Sequence, residues 1–138
     1  MADWIEPIIS KWSLEGIMLN PPATIDEIER IEAVLNFKFP LSFKQFYQKI
    51  DGFDEWDMLA NSNISIWPLD RILDEYSKWE KPDFIGICDM LINCYAIGFH
   101  RHKTGFYKLK DTLPDAERID ATFEELIMLI ENDDRLIY

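Results

Sequence analysis

Apolar positions recur at helical spacing through the first third of the chain and give way to alternation in the second half. Trp4, Ile8 and Trp12 stand four apart, and Ile5 and Ile9 widen the stripe, which predicts a helix starting near Asp3. Pro7 suits its first turn, where backbone N–H groups have no partner inside the helix. Asn20-Pro21-Pro22 then breaks the chain as a stiff linker. Thr24 followed by Glu27 forms a capping box, so a second helix starts there, with Ile28, Ile31 and Leu35 as its apolar face. Asp26, Glu27 and Glu29 favour the positive end of that helix, and Asn36 is a left-handed stop. Phe37 to Pro40 is an extended connector. A third helix opens at Pro40 or Leu41, carries Phe43, Phe46, Tyr47 and Ile50, and ends at Gly52.

Beyond Asn63 the period changes. Asn63 to Trp67 reads as a strand with Ile64 and Ile66 on one face, and Pro68-Leu69-Asp70 turns it into a helix bearing Ile72, Leu73, Tyr76 and Trp79. Asp83 to Cys88, Cys94 to Phe99 and Gly105 to Leu109 read as strands. The polar run His100 to Thr104 predicts a hairpin tip between the last two. Thr122 and Glu125 form a second capping box, which starts a closing helix with Leu126, Ile127, Leu129 and Ile130. Helices, then strands, then a helix make an α+β fold, an antiparallel or mixed sheet packed by helices. The 138 residues suit one domain. Residues 1–22 are its N-terminal helix and Pro-containing linker, and residues 23–138 its main body.

Composition supports a folded core, with 48% apolar and 14% aromatic residues. The net charge of -12 repels phosphate backbones and argues against direct nucleic-acid binding. The same charge would draw a basic partner, or merely keep the protein soluble. Cys88 and Cys94 lie in apolar surroundings outside any Cys-x-x-Cys pair, which predicts buried free thiols and a reducing, cytoplasmic setting. The first residues do not read as a signal peptide, and no apolar run approaches the ~20 residues of a membrane span. Nucleotide-binding glycine loops, His-Glu-x-x-His and Gly-x-Ser-x-Gly are absent, so neither a cofactor nor a metal is expected.

The segment Ala23 to Gly52 resembles the SUKH superfamily, which includes fungal cell-wall-synthesis regulators and many bacterial immunity proteins. Thr24, Ile28, Glu32, Leu35, Pro40, Phe43, Phe46 and Gly52 fall on the family pattern. Weaker likenesses follow at Ile66-Trp67-Pro68-Leu69, at Phe84 to Asp89 with Tyr95-Ala96-Ile97, and at Thr122 to Leu126. The chain departs from the pattern where Cys88 precedes Asp89 and Met90-Leu91-Ile92 follow, since the family often has glycines there. The resemblance implies a mixed sheet backed by helices, no catalysis, and a cognate toxin as partner, many such toxins being nucleases or deaminases. A basic nuclease would complement this acidic chain. The fungal members imply an alternative, a regulatory or scaffold module with no toxin.

The leading binding site is the acidic, aromatic cluster Asp51, Asp54, Glu55, Trp56 and Asp57, where Trp would supply contact area and carboxylates would meet Arg or Lys. The competing reading is a solvated loop. Trp67 joins the list as a residue that could line a groove, although it also reads as core. His100-Arg101-His102-Lys103, with Lys108 and Lys110, is the one basic stretch; it reads as a hairpin tip or as a dock for an anion. Cys88, Asp89, Cys94 and His100 could be pictured as a nucleophile set, against the plainer reading of core residues.

Overall fold

The computed structural model describes residues 3–54, 57–59, 64–78, 82–90, 95–110 and 117–137. Among them the elements run α1 (Ile5–Leu14), α2 (Ile25–Leu35), α3 (Leu41–Tyr47), β1 (Ile64–Ile66), α4 (Leu69–Lys78), β2 (Phe84–Met90), β3 (Tyr95–His100), β4 (Lys103–Lys110), β5 (Glu117–Ile119) and α5 (Phe123–Glu131). A single 3-10 turn, Arg135–Ile137, follows α5.

Both capping boxes form. Thr24 Oγ1 accepts from Glu27 N at 3.1 Å, and Glu27 Oε1 accepts from Thr24 N at 3.2 Å. Thr122 and Glu125 repeat the exchange at 3.2 and 2.9 Å. Each box satisfies backbone donors that the first helical turn leaves unpaired. Asn36 ends α2 in the left-handed region, with φ 53° and ψ 48°. Helix α3 is shorter than its apolar spacing predicts. It stops at Tyr47, and Ile50 is buried from the loop beyond.

The sheet is antiparallel throughout, in the order β1-β2-β3-β4-β5. Strand β2 runs two residues past its expected end, to Met90, and β5 is an addition the residue pattern did not mark. The hairpin tip is tighter than expected. Lys103 and Thr104 already belong to β4, leaving Arg101 and His102 as the turn.

One aromatic core joins the helices to the sheet. Phe39, Phe43 and Tyr47 stack in series at 4.1 and 4.3 Å. Phe99 of β3 lies 5.8 Å from Phe43, and Phe123 of α5 lies 5.2 Å from it. Trp12 of α1 meets Phe46 and Phe53 edge-on at 6.1 and 5.1 Å, so the N-terminal helix shares this core. Glu32 is buried yet useful: its Oε2 accepts from Phe39 N at 2.7 Å and pairs with Lys44 at 3.4 Å, clasping α2 to α3. No helix among the described residues is long and apolar enough to cross a membrane.

Candidate partner-binding surface

The loop after α3 is tied down by its own acidic side chains. Asp51 Oδ1 accepts from Leu69 N at 2.8 Å and so serves the first turn of α4. The Asp51 carbonyl accepts from Asn20 Nδ2 at 2.9 Å, and its N–H donates to Pro21 O at 3.2 Å. Asp57 Oδ2 accepts from Met18 N at 2.5 Å, and Asp54 N donates to Met18 O at 2.8 Å. Leu19 and Phe53 complete the seam as an antiparallel bridge. The α1–α2 linker and the acidic loop therefore form one surface.

Burial pushes the Asp51 carboxyl above its ordinary range, and the charges of Asp70 and Glu27 push the same way, against the Leu69 N–H. The negative field thus spreads from the loop to the first turns of α2 and α4. Because the folded value is raised, the stabilisation that the neutral carboxyl gives is complete below the ordinary carboxylate value and is lost as pH rises through the folded value. Asp51→Asn keeps an acceptor for Leu69 N and carries no charge. It should match or exceed the wild type in urea midpoint at neutral pH, with the advantage gone near about pH 3. Asp51→Ala should lose about 1 kcal/mol, the typical worth of such a cap. A D51N variant as unstable as D51A would contradict the assignment.

Two large apolar side chains, at the end of α1 and in the linker after it, are exposed. Leu14, the last residue of α1, is 89% exposed, and Met18 is 64% exposed. Met18 is held by its backbone, its N–H on the Asp57 carboxylate and its carbonyl on Asp54 N–H, while its side chain is exposed. Neither residue was singled out by the residue pattern, because isolated exposed apolar side chains leave no periodic signal. Glu55 and Trp56 lie outside the described residues.

Trp67 meets the loop with its backbone at Gly52, but its ring turns into the core. It is 1% exposed, its ring lies against Gly86, and its Nε1 donates to Asp89 Oδ1 at 3.0 Å. Arg71 pairs with Asp89 Oδ2 at 3.1 Å and stacks over the Trp67 ring at 4.7 Å. The ring belongs to the core and offers no surface to a partner in this conformation.

The basic stretch divides. Lys108 is 4% exposed and pairs with Glu117 at 3.2 Å, which removes it from the surface patch. The Arg101 guanidinium donates to Asn36 O, Tyr76 OH and Pro82 O at 2.7, 2.7 and 3.1 Å. His102 Nε2 lies 3.3 Å from Asp83, a carboxylate that sequence proximity does not reveal. Burial lowers the His100 value, and its Nδ1 accepts from His102 N at 3.0 Å. Among the described residues no group of three or more His, Cys, Asp or Glu side chains could hold a metal ion.

The nucleophile set does not assemble. Burial drives the Cys88 thiol far up, and Asp89 is committed to Trp67 and Arg71. His100 pairs with Phe84, the far end of β2, four residues from Cys88. Strand rise puts that at about 13 Å along the sheet. Cys94 lies outside the described residues.

The model of the SMI1 / KNR4 family (SUKH-1) matches residues 22–129. No curated protein matches the chain.

Proposed function

Because this chain belongs to the SMI1 / KNR4 family (SUKH-1), we propose that it is a non-catalytic, cytoplasmic immunity protein that neutralises a cognate bacterial toxin domain by covering it. The observation that carries the choice of surface is Met18, exposed and held by its backbone on Asp54 and Asp57, with Leu14 close by in sequence. An exposed apolar anchor beside an acidic loop fits a basic protein face: the anchor excludes water, and the carboxylates meet Arg or Lys. The net charge of -12 would steer such a partner in. Asp51 and Asp57 carry negative charge while holding the backbone, so the face is presented in a fixed shape.

Co-expression with the toxin encoded beside the gene should rescue growth, and the two proteins should elute together on gel filtration. Leu14→Ser combined with Met18→Ser should leave the thermal midpoint unchanged, since both side chains are exposed. It should weaken the complex by about a hundredfold if each anchor carries a little over 1 kcal/mol. Absence of both rescue and complex would remove the toxin reading and leave the regulatory one.

A further inference from the structure

A groove of about 690 Å³ opens at the opposite-charge end of the chemistry, between the α2–α3 connector, the β3–β4 turn and the start of α5. That volume lies within the ~300–1,000 Å³ usual for ligand sites. Phe37, Phe99 and Phe106 form an aromatic wall and floor, with Phe37 left half-buried. The rim carries Lys38, Arg101 and Lys103 on one side and Asp120 and Glu125 on the other.

The two sides are unequal once their partners are counted. Asp120 pairs with Arg118 at 3.4 Å, and the Glu125 carboxylate closes the α5 capping box. The negative side thus has one carboxylate paired with a cation and one bonded to a neutral backbone N–H. Arg101 donates to two carbonyls and a hydroxyl, none of them an anion. Lys38 is exposed, and its Nζ reaches a carboxylate, Glu32, only at 4.0 Å. Positive charge thus stands over an aromatic floor, in a chain with 26 acidic residues against 14 basic ones.

We infer that this groove binds an extended segment of a second protein, one bearing one or two carboxylates next to a large apolar side chain. The apolar side chain lies against Phe37 and the floor, and the carboxylates meet Lys38, Lys103 and the charge of Arg101. A nucleotide fits less well. Its several phosphate charges would crowd Asp120 and Glu125 across the rim, whereas a peptide places few charges and directs them to one side. The site is separate from the acidic face and carries the opposite charge, so each can fail in the laboratory without the other.

A displayed library of random dodecapeptides, selected on the wild-type protein and counter-selected on Lys103→Glu, tests this. Enrichment of acidic residues flanked by Leu, Ile, Phe or Trp supports the proposal; no enrichment, or enrichment of basic peptides, overturns it. A selected peptide should perturb the amide signals of Phe37, Lys38 and Lys103 to Gly105 in a heteronuclear NMR titration. Lys103→Glu should weaken it about tenfold, equivalent to about 1.4 kcal/mol. Lys38→Gln, which removes one charge without reversing it, should weaken it less. Perturbation confined to the 51–57 loop, or ATP binding in the groove more tightly than any selected peptide, would overturn the assignment.

Discussion

Gly98→Ala is expected to cost about 3 kcal/mol or more, a large part of the stability of a domain this size. Gly98 of β3 pairs with Gly86 of β2 beside the bulge in β2. A Cβ at position 98 would stand 2.1 Å from Ile85 O and 2.6 Å from the Gly86 Cα. Both are backbone atoms, so no rotamer change relieves the contact. The strands must part, and the ladder at the centre of the sheet goes with them. Gly86→Ala is the informative control. There the added carbon meets the Trp67 ring at 2.9 Å, and the ring can shift at the expense of its packing and its bond to Asp89. Urea unfolding should give a lower midpoint for both, with the larger fall for Gly98→Ala and unchanged slopes. A Gly98→Ala midpoint equal to wild type would mean that β2 and β3 do not approach this closely.

The second large effect belongs to Asp89. This carboxylate is buried and receives Trp67 Nε1–H and the Arg71 guanidinium. Asp89→Ala leaves an indole N–H in the core without that acceptor and removes the anion beside Arg71. Breaking such a buried pair from one side costs about 3–5 kcal/mol. Arg71→Met should also destabilise, because Asp89 keeps its charge and loses its cation. For the cycle the single variants are Asp89→Asn and Arg71→Met, and the double variant carrying both removes both charges and keeps an acceptor for Trp67. It should be more stable than the sum of the single losses predicts, with a coupling of about 1–3 kcal/mol in a double-mutant cycle. Additive losses would show that the two side chains act separately.

The parts of this fold that were legible in the residues are the parts whose chemistry is local. Thr24 with Glu27, Thr122 with Glu125, and Asn36 each act within a few positions, so order alone announces them. The end of β2 lies beyond its expected place for the opposite reason. Asp89 looks like the polar start of a turn until Arg71 and Trp67, from outside that strand, supply its partners. Strand β5 has three residues, two of them exposed, which is too short for an alternating signal. Ile50 kept helical spacing but is buried from a loop. The acidic loop was found by charge density, yet its inner function was not visible: Asp51 and Asp57 reach Leu69 and Met18, which the sequence sets apart from them. Met18 gained its place from that same long-range contact, as Lys108 lost its place through Glu117.

The order of strands across the sheet repeats their order along the chain. Among the described strands none crosses another, so a turn can grow, shrink or be rewritten without rethreading the sheet. The acidic face hangs on the α1–α2 linker and the loop after α3, and the basic groove borders the β3–β4 turn. Both lie on segments that evolution can edit cheaply, over an aromatic interior that need not change. Such a plan lets one scaffold carry different surface segments while its interior packing is kept.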